Sequence, residues 1–181
     1  MIPNNTLIHD NCFNVFPNID DKSIDMILCD LPYGTTQCKW DSVLPLDKLW
    51  LAYNRIIKDN GCIALFAQTP FNITLGSSNI KQLRYEWIWE KNKATGHLNA
   101  KKMPLKAHEN ILVFYNKLPT YNPQLTEGTP YIGRGRPASS AKTELYGKYG
   151  GHREDNPGFR YPRSVQGMDM SRRHYTLLKS L

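Results

Sequence analysis

Asp30, Pro32 and Tyr33 fall within four residues at the end of the stretch Met26–Tyr33, M-I-L-C-D-L-P-Y. Four apolar residues run into the aspartate, and the proline then turns the chain away, as at the end of a short buried parallel strand. Asp30 would therefore stand at the carboxyl end of a strand, where open α/β sheets bind their ligands. Pro32 has no amide hydrogen and biases Leu31 away from the helical region, so the loop is expected to leave extended, with free carbonyls. Tyr33 adds an aromatic face. A carboxylate, a free peptide oxygen and a stacking platform suit a planar ring bearing an exocyclic amine. An acidic turn after a core strand would explain the same letters without a ligand, so the neighbouring residues must decide.

Those neighbours extend the pattern. D-L-P-Y-G resembles the [DNS]-P-P-Y motif of the amino-group DNA methyltransferases, which methylate adenine N6 or cytosine N4 using S-adenosylmethionine. The run Tyr33-Gly34-Thr35-Thr36-Gln37-Cys38-Lys39-Trp40-Asp41 is similar to that family's Y-G-T-T-x-x-x-W-D stretch, a more specific match. Upstream, I-H-D-N-C-F-N-V-F is similar to its G-D-C-x-x-x-L segment. Downstream, W-E-K-N-K-A-T-G-H-L-N-A-K-K (89–102), H-E-N-I-L-V-F-Y (108–115) and R-Y-P-R-S-V-Q (160–166) also look like this family, so the resemblance spans about residues 5–166.

The resemblance implies that Asp30, Pro32 and Tyr33 are catalytic, that Asp10, Asp30 and Leu31 meet the cofactor S-adenosylmethionine, and that Trp40, Lys101, Lys102, Arg134, Arg136 and Arg153 face double-stranded DNA. Asp30, where cytosine-N4 enzymes often carry serine, favours adenine; Leu31 replaces the usual proline. Bland roles stand beside these: Asp10 as a helix N-cap, Trp40 as a lid over the core, and His97 and His108 as hydrogen-bonding loop residues. In this class the catalytic motif precedes recognition and cofactor motifs. After residue 166, however, neither an H-P-T-Q-K-P-like segment nor a glycine-rich F-x-G-x-G loop follows. A truncated enzyme or one half of a split one is expected. Its sheet would have an open apolar edge for a second copy or a complementing subunit to cover.

With 181 residues, 40% of them hydrophobic, the chain can build one cored domain, or one carrying an inserted subdomain. Met1–Asp10 is polar and unlike a signal peptide, and no apolar run approaches the roughly 18 residues of a membrane span. Cys12, Cys29, Cys38 and Cys62 form no C-x-x-C pair, which points to reduced thiols, no metal and a cytoplasmic protein. The net charge of +7 is uneven. Residues 1–80 carry five Lys and Arg against eight Asp and Glu, residues 81–117 eight against three, and residues 118–181 ten against five. An acidic first part and a basic remainder suit a polyanion partner, although a generally basic surface gives the same count.

The elements expected to position these residues alternate. A short strand at Thr6–His9 leads to a helical patch (Phe13, Phe16, Ile19) limited by Pro17, then to a strand at Ser23–Asp30. Leu46–Lys58 has apolar residues at helical spacing, with Pro45 at its start and Asn60-Gly61 at its end. Strands are expected at Cys62–Ala67, Leu83–Trp89 and Asn110–Tyr115, and a helix at Phe71–Ile80. A lysine-rich loop follows Trp89. This is a Rossmann-like α/β methyltransferase fold, mostly parallel with an antiparallel edge hairpin, and incomplete.

From Leu118 the aliphatic periodicity fades, and tyrosines interleave with arginines, including Tyr131, Arg160, Tyr161 and Arg163. Cations reach phosphates and aromatic faces reach bases, although a disordered basic linker has the same composition. Gly133–Ala138 fits G-x-G-x-x-A, but no strand precedes it and Pro137 lacks a donor, which excludes a dinucleotide site. The expected division is a partial catalytic domain at 1–117, a target-recognition-like region at 118–166 and an atypical tail at 167–181. The rival readings are a catalytically inactive DNA-binding subunit, a cytosine-N4 methyltransferase and a basic RNA-binding module.

Overall fold

The structure, a computed structural model, describes residues 5–133, 142–143, 147–148 and 155–167. The chain divides into two compact units, Met1–Asn122 with Ser164–Leu181, and Pro123–Arg163.

The first unit is built on a sheet whose two central strands carry continuous buried apolar runs, Cys62–Leu65 and Ile111–Phe114, the composition of strands covered on both faces. Its strands are β1 (Ile24–Asp30), β2 (Ile57–Ala67), β3 (Leu83–Thr95), β4 (Lys106–Phe114) and β9 (Val165–Gly167), ordered β1-β2-β4-β3-β9. β1 and β2 pair in parallel, as do β3 and β9, while β4 is antiparallel to both its neighbours. Four strands therefore share one direction and β4 alone is reversed.

Alternation splits the apolar residues. Ile63 and Leu65 of β2 and Leu112 and Phe114 of β4 pack on one face with Leu49, Trp50, Tyr53 and Ile56 of α2 (Leu46–Ile56) and Phe71 and Leu75 of α3 (Phe71–Ser78). Phe13 and Phe16, from α1 (Cys12–Val15) and the 3-10 turn after it, join this layer. Cys62, Ala64, Trp87, Ile111 and Val113 form a second cluster.

Several expectations need correction. Thr6–His9 is not a strand: Leu7 is 98% exposed and the segment lies outside the sheet. The cap of α1 is Asn11, whose side chain accepts from the Phe13 amide, and not Asp10. Asp10 instead accepts from the Asn11 amide and the Asn14 side chain. Asn60-Gly61 does not end α2; the helix passes directly into β2 at Ile57, and Gly61 lies inside the strand at an irregularity opposite Ile24–Met26. A Cβ on Gly61 would come within 2.6 Å of the Ile57 side chain and 2.9 Å of the Asp25 carbonyl, so packing demands this glycine. The β3–β4 hairpin extends further than expected, taking Lys91 and Lys93 into the strand, and β9 adds a rung beyond it.

In the second unit β5 (Thr126–Glu127) pairs with β8 (Phe159–Arg160), and β6 (Lys142–Thr143) with β7 (Gly147–Lys148). The Arg160 guanidinium donates to the Asn156 side chain and the Thr129 carbonyl and lies over the Tyr131 ring at 4.9 Å. That arginine serves the unit's own fold. Among the described residues no helix is long and apolar enough to cross a membrane.

Candidate active site

Register places one rim of the sheet. Asp30 ends β1 opposite Phe66 near the end of β2, and Phe66 stands opposite Ile111 within the reversed strand β4. The carboxyl ends of β1, β2 and β3 and the amino end of β4 thus share one edge, the ligand edge of such sheets.

At this edge the strand's alternation carries into the loop. Leu31 is 5% exposed and sealed into the helix-side core, while Asp30 on the other side of the chain is exposed. Leucine in place of the expected proline therefore acts as a plug that anchors the turn. The Tyr33 hydroxyl donates to Asp30 Oδ1 at 2.6 Å. No ion pair involves Asp30 among the described residues, and neither its Oδ2 nor the Pro32 carbonyl accepts a hydrogen bond from them.

The Tyr33 ring stacks on Phe71 with centroids 5.4 Å apart and planes 24° apart. Phe71 is 3% exposed, at the first position of α3. One face of the tyrosine is therefore backed by the core, and a ligand would have the other. Burial, then the hydrogen bond to Asp30, then the charges of Asp30, Glu109 and Asp41 push the Tyr33 phenol up, so it stays a protonated donor. Glu109, opposite Trp89, is ion-paired with Lys91, which also lies 5.5 Å over the Trp89 ring. Burial raises the Cys29 thiol beside Asp30, which keeps it from acting as a thiolate.

The loop from Gly34 to Trp40 is exposed, and Trp40 itself is 73% exposed, so it is not a lid over the core. Asp41 behind it is 8% exposed. The Gly34 amide donates to its Oδ1 at 2.8 Å, and those of Thr35 and Thr36 to its Oδ2 at 3.0 and 2.7 Å. The Thr36 hydroxyl and these amides, against a smaller opposing effect of burial, lower its pKa to about 2.

Of the residues singled out in sequence, Asp30, Pro32 and Tyr33 come together, with Leu31 turned inward. Asp10 precedes α1, whose Phe13 packs on the same apolar layer as Cys29 and Leu31. Lys101 and Lys102 are exposed in the β3–β4 connection, which leaves from the same rim; there Lys106 donates to Gln68 Oε1 at 2.6 Å. His97 hydrogen-bonds the Ala94 carbonyl, a local turn contact. Arg134, Arg136 and Arg153, and all but the first residue of the 167–181 tail, lie outside the described residues. Phe71 was missed in sequence, and Asp41 was seen there only as the last letter of the Y-G-T-T-x-x-x-W-D match. An aromatic residue directly after the Gln68-Thr69-Pro70 turn was the only signal for the first.

No protein-family model matches the chain. Over 126 residues it is 29% identical to the type II methyltransferase M1.MboII of Moraxella bovis, which covers 63% of this chain and 47% of that protein. The chain thus spans about half the length of the curated relative it matches. Among solved structures it is similar to the PvuII DNA methyltransferase (cytosine-N4-specific), with a TM-score of 0.51, 10% identity and coverage of 93% of this chain and 59% of that one. It is also similar to the M1.HpyAVI–SAM complex, at a TM-score of 0.49 and 17% identity over 63% of this chain and 58% of that one. The chain is thus similar in sequence to a type II methyltransferase, and its sheet is Rossmann-like, as in the PvuII methyltransferase.

Proposed function

We propose that this chain carries the base-gripping site of a DNA amino-methyltransferase, acting on adenine N6 in double-stranded DNA. One observation carries the reading: a carboxylate with one oxygen free, a free peptide oxygen and a core-backed phenol ring converge at the carboxyl end of β1. An adenine taken out of the stack would lie on the open face of Tyr33. Asp30 Oδ2 and the Pro32 carbonyl would accept its two amino hydrogens and aim the nitrogen lone pair. Bound S-adenosylmethionine supplies an electrophilic methyl group. The contribution of these residues is positioning, together with acceptance of the proton the nitrogen sheds as its bond to carbon forms and the sulfur–carbon bond breaks.

The described residues fit that cofactor at one end. Asp10 and Asp30 offer acceptors for its ammonium and ribose hydroxyls, and Leu31 can meet it only through its backbone, since its side chain is buried. Among the described residues no glycine-rich turn follows a strand. The basic loop with Lys101 and Lys102 suits phosphates on the same rim, and the 118–166 region is proposed to read the target sequence.

The test is transfer of labelled methyl from S-adenosylmethionine to duplex DNA by the full chain, followed by nucleoside analysis of the product. N6-methyladenine is expected, and Asp30→Ala should abolish the label. N4-methylcytosine would overturn the choice of base, and activity surviving Asp30→Ala would overturn the pocket.

A further inference from the structure

One buried carboxylate orders the loop that leaves the proposed pocket. Three successive amides, those of Gly34, Thr35 and Thr36, converge on Asp41. Such converging backbone donors form a small anion-binding concavity, and here the anion is a side chain of the same loop. Gly34 is required by this turn: its φ is +68°, and a Cβ there would stand 3.0 Å from Val43 Cγ2. Two further bonds close the loop, from the Asp41 amide to the Cys38 carbonyl at 3.0 Å and from the Cys38 amide to the Thr36 hydroxyl at 3.3 Å. Residues 34–40 are all exposed, so apolar packing does not hold this segment.

We propose that Asp41 is a positioning residue: by gathering the amides of Gly34, Thr35 and Thr36 it fixes the direction in which the chain leaves Tyr33. It thereby holds the Tyr33 ring and the Pro32 carbonyl in place beside Asp30 before any nucleobase arrives. The inference rests on the methyltransferase reading for its consequence, but its geometry belongs to the protein alone. Tyr33 has two other anchors, its hydroxyl on Asp30 and its stack on Phe71, and both act on the side chain. The clamp acts on the backbone that follows, which those contacts leave free to pivot.

The experiment compares the full-length wild type with Asp41→Asn and Asp41→Ala. Amide hydrogen exchange by NMR should show Gly34, Thr35 and Thr36 protected in the wild type and unprotected in Asp41→Ala. The Tyr33 ring signals, displaced by the Phe71 stack, should move towards free-tyrosine positions while cooperative unfolding is kept. In methyl transfer, Asp41→Ala should lower kcat about 100-fold, the scale expected when a reacting group is misplaced by about an ångström, and change KM for DNA far less. Asp41→Asn, whose amide oxygen can still accept, should recover part of both the protection and the rate. Unprotected amides in the wild type, unmoved Tyr33 signals in Asp41→Ala, or an unchanged kcat would each overturn the role. A wild type with protected amides and no methyl transfer would count against the proposed function, and the ring signals would still decide the clamp.

Discussion

Removing the Tyr33 hydroxyl separates two parts of the pocket that are joined by a single atom. Tyr33→Phe keeps the ring on Phe71 and deletes only the 2.6 Å bond to Asp30 Oδ1. A hydrogen bond to a charged acceptor contributes about 1.5–3 kcal/mol. Asp30 is exposed and its charge is screened by water, so about 1 kcal/mol is the fitting estimate. If that bond holds the carboxylate with Oδ2 towards the base, Tyr33→Phe should lower kcat about fivefold. Tyr33→Ala also removes the stacking platform, which contributes about 1–3 kcal/mol per base. Its total of about 2–4 kcal/mol corresponds to a loss of about 30- to 700-fold. Single-turnover methyl transfer on a defined duplex measures both, with thermal unfolding as a control for folding. A Tyr33→Phe variant faster than wild type would mean that the hydroxyl blocks the carboxylate, and the reasoning would fail. Equal losses in the two variants would also refute it, since the ring would then contribute nothing.

Two further outcomes follow from the same framework. The folded pKa of Asp41, about 2, lies below its ordinary 3.8, so its contribution is present above the unfolded pKa and is lost as pH falls through the folded one. Protection of the amides at 34–36 should therefore persist from neutral pH to about 4 and disappear near 2 in hydrogen exchange, and loss between pH 6 and 5 would contradict the assignment. Gly61→Ala puts a methyl group against the Ile57 side chain and the Asp25 carbonyl, at 2.6 and 2.9 Å. Overpacking of that kind costs about 1–3 kcal/mol, so thermal unfolding should show Tm several degrees lower, and an unchanged Tm would mean that the junction of α2 with β2 is not tightly packed.

The sequence by itself determined the alternation of helices and strands, because those signals are local. Leu49, Trp50, Tyr53 and Ile56 repeat at helical spacing, and β1 is an apolar run closed by Asp30 and Pro32. It also determined where the D-L-P-Y turn stands, since a strand end, a proline and a tyrosine constrain one another within four residues. Everything that depends on residues distant in the chain was decided by the tertiary structure. Gly61 reads locally as a helix terminator, yet it is needed because Ile57 and Asp25 crowd it. β9 has only three residues and no pattern of its own, and it exists because β3 presents a free edge. Phe71 backs Tyr33 from another element, and Trp40, a lid by its size, stands in solvent next to a carboxylate buried on the loop's own amides.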